Sequence, residues 1–185
     1  MLSQLVSQDL SAPSKNSESP ESGPHIHLIS VLPKKDSLDV QFIRNSIPHV
    51  GIDDSCIFRD EFSDAASSYI IQAAKNNSRT IVSYNPIPEM TTQEFIDRAA
   101  QVKERCGASE GWYHFEGRIQ VVTGDSVKHI RSAAEHSGFK ISVECEKPER
   151  EYMMLAARDA DAVFFSKIWA QVSSPSFRFS RVLAI

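Results

Sequence analysis

The sequence predicts an α/β fold, in which a mainly parallel sheet with flanking helices carries a small antiparallel β piece. Three observations predict it. Trp112-Tyr113-His114-Phe115, Phe139-Lys140-Ile141-Ser142-Val143 and Asp161-Ala162-Val163-Phe164-Phe165 are aromatic and β-branched runs of strand length. Helical periodicity separates them, so the order strand, helix, strand, helix, strand implies parallel neighbours joined by right-handed crossovers. Upstream, Ser68-Tyr69-Ile70-Ile71-Gln72 and Thr80-Ile81-Val82-Ser83-Tyr84 flank the turn-forming Lys75-Asn76-Asn77-Ser78, which is the pattern of a hairpin.

In chain order, Met1-Leu2-Ser3-Gln4-Leu5-Val6 reads as the end of an amphipathic helix without a cap. Ser11 to Pro24 is rich in Ser, Pro and Glu and reads as a mobile loop, so residues 1–24 form a remnant helix and loop ahead of the main domain. His25 to Val31 is a strand, and its two histidines, His25 and His27, fit side-chain alternation along a sheet edge more simply than a metal site. Asp36 is placed to cap a helix bearing Leu38, Phe42, Ile43 and Ile47, ended by Pro48 and Gly51. Cys56-Ile57-Phe58 is extended, so the small sheet spans about 56–84.

Asn85-Pro86-Ile87-Pro88 breaks the strand, and Thr91 with Glu94 forms a capping box. Phe95, Ala99, Val102 and Cys106 then mark one helical face that Gly107 terminates. Asp125 is placed to cap the next helix, with Val127, Ile130 and Ala134 inward and Gly138 at its end. Pro148 suits the first turn of the last helix, whose Tyr152, Leu155 and Ala156 are expected to cover the sheet. Tyr152, Met153 and Met154 read as core packing.

The 185 residues suffice for one ordinary domain, and the 41% apolar content is near the globular average. A net charge of -4 supplies no basic stripe, which argues against nucleic-acid partners and against attraction to membranes. No apolar run approaches the roughly 20 residues of a membrane span, and Met1 to Val6 lacks the basic leader and apolar core of a signal peptide. Cys56, Cys106 and Cys145 are widely spaced without a metal-ligand pattern, which suits reduced, buried thiols and a cytoplasmic location.

In a parallel sheet the carboxyl ends of the strands share one edge, where ligands bind. Glu116, Gly117, Arg118, Glu144, Glu146, Lys147, Ser166 and Lys167 would gather there. Basic side chains suit phosphate oxygens, and carboxylates suit sugar hydroxyls or hydrated magnesium. Gly117 lets the backbone turn or a ligand come close. Taken alone, Trp112 to Arg118 reads more simply as a strand followed by a solvated loop that carries an ordinary Glu/Arg pair. The recurrence of the pattern in three strands favours a cleft.

Ser78-Arg79-Thr80-Ile81-Val82, Pro88-Glu89, His114-Phe115-Glu116-Gly117-Arg118, Ser142-Val143-Glu144-Cys145-Glu146-Lys147-Pro148 and Val163-Phe164-Phe165-Ser166-Lys167 follow one another in an order that resembles the middle of a ketohexokinase. Ketohexokinases belong to the ribokinase-like (PfkB) carbohydrate kinases, and the likeness covers about 25–170. The resemblance implies a doubly wound α/β domain with a β lid over a sugar site, and ATP with Mg2+ phosphorylating a ketose hydroxyl. It places Arg79 on the nucleotide's phosphates and Lys167 beside the nucleotide. Glu116, Gly117, Arg118, Glu144 and Ser166 fall at the cleft without an individual step. The lid also suggests a homodimer.

Two parts of the family pattern are absent. These residues hold no Gly-Gly-Asn sugar loop and no Gly-Ala-Gly-Asp segment, which carries the family's base and anion hole. Thr123-Gly124-Asp125 is a partial echo. Residues 171–185 have no family character. The resemblance is thus to an internal, incomplete piece of a kinase, as an incomplete or misspliced gene model would encode, with no catalytic residue assigned. A non-catalytic α/β binding or dimerisation module, and a generic α/β interaction domain, are the competing readings.

Overall fold

The computed structural model describes residues 3–7, 25–75, 78–172 and 183–184. The mobile loop expected over 11–24 lies outside them, as does most of the tail after 170. The first half runs β1 (Ser3–Ser7), β2 (His25–Ile29), β3 (Val31–Pro33), α1 (Leu38–Ser46), β4 (Val50–Gly51), β5 (Ile57–Arg59), β6 (Ser67–Gln72) and β7 (Arg79–Tyr84). The second runs α2 (Thr92–Cys106), β8 (Gly111–Phe115), α3 (Gln120–Ser132), β9 (Phe139–Cys145), α4 (Met153–Asp159), β10 (Ala162–Phe165), α5 (Lys167–Val172) and β11 (Leu183–Ala184).

The main sheet has seven strands in the order β11-β10-β9-β8-β1-β2-β4. β8, β9 and β10 are parallel neighbours, as the strand and helix alternation predicts. β1 is antiparallel to both β2 and β8, so the sheet is mixed at its centre. The helix expected over Met1 to Val6 is therefore corrected at Ser3 to Val6, which lie in β1; Met1 and Leu2 are outside the described residues. A six-residue uncapped helix is too short to sustain itself. Between β2 and β8 the same backbone can complete hydrogen-bond ladders on both sides.

Residues that share a face follow from the period of two along a strand. Tyr113, Phe115, Ile141, Val143, Cys145, Val163 and Phe165 are buried on one face against Phe95, Ala99 and Val102 of α2, Val127 and Ile130 of α3, and Met153, Ala156 and Ala157 of α4. Leu28 looks the other way, into a smaller core with Leu32, Val40, Ile52 and Cys56 beneath α1. On that second face Ser142 Oγ accepts from Trp112 Nε1 at 2.7 Å and lies 2.8 Å from His114 Nδ1. Among the described helices only α1 lies on this face, which leaves Trp112 39% exposed.

The hairpin β6–β7 forms its own antiparallel sheet, with Ile70 opposite Ile81, and every described residue of it is exposed. The extended piece at β5 does not join it. β5 pairs in parallel with β3, because Ile57 is a core residue that needs cover while the hairpin is open on both faces.

Several local expectations are corrected. Ser37, not Asp36, caps α1: its Oγ accepts from the Val40 amide, three residues on, where a capping side chain must reach. Leu38 and Phe42 point outward, 80% and 73% exposed, and Val40 fills the core position. Cys106 is exposed at the last turn of α2. Asp125 lies inside α3, which begins directly after the Glu116–Arg118 turn, and Ala134 lies beyond it in a 3-10 turn. Pro148 precedes α4 by five residues, and Tyr152 and Leu155 are exposed while Met153 and Ala156 are buried. The Thr91–Glu94 capping box and the left-handed Gly107, φ 61°, form as expected.

Candidate functional site

Strand β8 ends with Phe115 opposite Val143, and β9 and β10 continue for two more residues. Glu116 therefore follows at the level of Glu144, and Ser166 leaves the same carboxyl edge from β10.

The turn at 116–118 is fixed from two directions. A Cβ on Gly117 would lie 2.2 Å from the Glu144 carbonyl oxygen and 2.9 Å from Met153 Cε, so only glycine fits against β9 and α4. Arg150 Nη1 donates to the Gly117 carbonyl at 2.9 Å and pairs with Glu146 at 3.7 Å. Gly117 is therefore a packing residue that aims its neighbours. Glu116 is half-buried and Arg118 exposed.

Both neighbours line a pocket that is open to solvent. Its buried wall comes from Ile29, Met90, Phe95 and Phe115. Asn85, Glu89, Glu116 and Arg118 ring the mouth, and Ala66 and Asn85 bring the base of the hairpin to it. On α3, Thr123 and Ser126 lie beside the pocket and are themselves buried, 5% and 0% exposed. The first turn of α3 has no side-chain cap, so its amides add positive potential beside Arg118.

The 85–94 segment that closes the pocket is held from below. Asn85 Nδ2 donates to Glu89 Oε1 at 3.3 Å, and Asn85 Oδ1 accepts from the Ile87 amide at 3.2 Å. Arg59 reaches across from β5 and binds Glu94 with both guanidinium nitrogens, at 2.5 and 3.0 Å. That contact, with the Thr91 bonds of the capping box, holds the Glu94 carboxyl down at about 2.

The remaining predicted residues do not converge on this pocket. Glu144 is half-buried within β9, on the face opposite Val143 and Cys145. Ser166 acts locally: its hydroxyl donates to the Glu146 carbonyl and accepts from the Trp169 amide at 3.2 Å, which caps α5 and ties β10 to the β9 exit. Lys167 is exposed in the first turn of α5, and Arg79 is exposed at the start of β7 opposite Gln72. Neither lines the pocket. Among the described residues no group of three or more His, Cys, Asp or Glu side chains is placed to hold a metal ion.

Sequence reasoning alone does not bring Asn85, Thr123 and Ser126 to the pocket. For Thr123 and Ser126 the signal is helical spacing, since with Ile119 they recur at four and three residues on one side of α3; Asn85 has no such signal.

No family model matches this chain, and no curated protein matches it. Among solved structures it is similar to a microbiome-derived acarbose kinase labelled with selenomethionine, at 13% identity and a TM-score of 0.46. That similarity covers 91% of this chain, which spans 59% of the kinase's length.

Proposed function

We propose that the chain is a carbohydrate-kinase domain of the ketohexokinase type, which holds a ketose in the pocket at the base of the hairpin and, with these 185 residues alone, transfers no phosphoryl group. The observation that carries this reading is the pocket's position. It lies at the carboxyl edge of the sheet between the Glu116–Arg118 turn and the foot of the hairpin, and it joins apolar walls to a few polar groups, as small-molecule sites do. The family resemblance of the residues around it supports the same reading.

In this proposal Glu116 and Glu89 accept hydrogen bonds from the sugar's hydroxyl groups and suit a hydrated magnesium ion, which needs only one or two carboxylates besides phosphate and water. Arg118, Arg79 and Lys167 supply cationic partners for nucleotide phosphates. Magnesium-bound ATP would bring the γ-phosphoryl group and neutralise its charge. These residues lack the backbone cradle and the aspartate base that the family brings to transfer, so no transfer step is derived. Calorimetry with D-fructose and a coupled ATP-turnover assay test the proposal. Sugar binding without turnover is expected. Ketose-dependent turnover abolished by Arg79→Ala would overturn the inactivity, and absence of sugar binding would overturn the kinase reading.

One observation favours a second reading, a non-catalytic dimerisation module. The hairpin exposes Tyr69, Ile71, Val82 and Tyr84, an apolar surface that catalysis does not need.

A further inference from the structure

We propose that Cys106 and His27 form a thiol-modification site, in which His27 takes the thiol proton while the sulfur attacks a small disulfide such as oxidised glutathione. Cys106 ends α2 and is exposed, and its Sγ lies 3.3 Å from Nε2 of His27 on β2. The two residues are 79 positions apart in sequence and meet because α2 packs beside β2. The imidazole is fixed from behind. Gly51, its partner across β2 and β4, leaves the room that the ring occupies, since a Cβ there would lie 2.4 Å from His27 Nδ1. That nitrogen is buried without a hydrogen-bond partner, so protons enter and leave the ring at Nε2, beside the sulfur.

The surrounding charges suit a base. Burial first, then the positive charges of Arg105 on α2 and of His25 on the same strand, hold His27 below the usual histidine range, against the opposing pull of Asp54. Arg105 itself is paired with Asp54. The imidazole is therefore neutral at pH 7 and able to accept a proton. Acyl transfer does not fit this pair. Cys106 stands at the carboxyl end of α2, where the helix dipole is negative and opposes an oxyanion. Thiol–disulfide exchange needs no such stabilisation. The Cys106 thiol gives its proton to His27 Nε2, its sulfur bonds to one sulfur of the disulfide, the S–S bond breaks, and the departing thiolate takes the proton back from His27. One mixed disulfide and one free thiol result, with no further oxidant. Cys56 and Cys145 are buried, so neither is exposed to resolve the mixed disulfide, which persists until an external thiol reduces it.

The 185-residue chain and its His27→Gln variant are incubated with oxidised glutathione at pH 7, quenched in acid and digested for peptide mass spectrometry. Glutamine keeps a polar side chain at this position but cannot take the proton. Cys106 is expected to gain the glutathionyl group about tenfold more slowly in His27→Gln, less than the full effect of a positioned base because an exposed sulfur also gives its proton to water. The two rates should converge above about pH 9, where thiols ionise unaided. Cys56 and Cys145 should stay unmodified in both proteins. Their modification in the variant would mean that it unfolds, and the pH profile of the unsubstituted chain then decides alone. Between about pH 7.5 and 6.5 a base-assisted thiol loses less than tenfold in rate, whereas an unassisted one loses the full tenfold. Equal rates for the two folded proteins at pH 7, a full tenfold loss in the unsubstituted chain, or no mixed disulfide at Cys106 overturns the proposal.

Discussion

Gly117 and the carbonyl of Glu144 approach so closely that any Cβ on Gly117 would sit 2.2 Å from that oxygen. Since the oxygen belongs to a central strand, the clash cannot be relieved by a rotamer change. Gly117→Ala is expected to destabilise the chain by about 1–3 kcal/mol, the usual cost of overpacking. Gly124→Ala is the control. It stands inside α3 with nothing within 4 Å of its Cβ position, so it should gain about 0.5–1 kcal/mol by removing a helical glycine. Urea midpoints of the two variants should move in opposite directions, and a shared direction would show that Gly117 is not held as described.

The parallel order of β8, β9 and β10 was legible because three apolar runs separated by helical patterns admit few topologies. The hairpin was legible from its turn residues. Strand β1 was not, since a short segment such as Ser3–Ser7 takes its conformation from the slot between β2 and β8, a non-local contact with no local signature. Arg118 and Glu116 could be placed at the edge from the sequence. Gly117's packing could not, because it depends on which elements lie opposite, the Glu144 carbonyl of β9 and Met153 of α4.

The Arg59–Glu94 pair should make stability depend on acid. The folded carboxyl is held down at about 2, below its ordinary 4.5, by the Arg59 hydrogen bonds first and Thr91 next. A depressed acid contributes stability that is full above about 4.5 and is lost as the pH falls towards 2. The pair is partly solvent-exposed, so its share is of the order of 1 kcal/mol. Glu94→Gln keeps an acceptor for the Thr91 amide but removes the charge, and should flatten the urea-midpoint profile between pH 4.5 and 2. A profile that falls as steeply as that of the unsubstituted chain would assign the acid sensitivity to other groups.

The three cysteines should react in two classes. Burial pushes the Cys56 and Cys145 thiols up to about 12, whereas Cys106 is exposed with its sulfur 3.3 Å from His27 Nε2. Since the thiolate is the nucleophile, iodoacetamide at mildly alkaline pH should label Cys106 in the folded protein and all three after denaturation. Peptide mass spectrometry identifies the sites. Labelling of Cys145 in the folded state would mean that the β9 core opens readily.

The hairpin tests the choice between catalytic domain and dimerising module. An isolated two-stranded ribbon is marginal in water, yet β6–β7 stands apart from the main sheet with Tyr69 69%, Ile71 65%, Val82 55% and Tyr84 55% exposed. The pairing of Tyr69 with Val82 and of Ile70 with Ile81 sorts the residues by face. Tyr69, Ile71, Val82 and Tyr84 share one face; Ser68, Ile70, Ile81 and Ser83 share the other with Arg79, and the 3.0 Å contact between the Ser68 and Ser83 hydroxyls fits that sorting. If Arg79 meets phosphates as proposed, the Tyr69 face points away from them, where a second copy can cover it. Sedimentation velocity should show reversible, concentration-dependent dimers, weakened by Val82→Asp far more than by Ser83→Asp, because a charge is costly only on the face that becomes buried. Equal effects would remove the facial assignment, and a monomer at every concentration would remove the dimerising module as a reading of this chain.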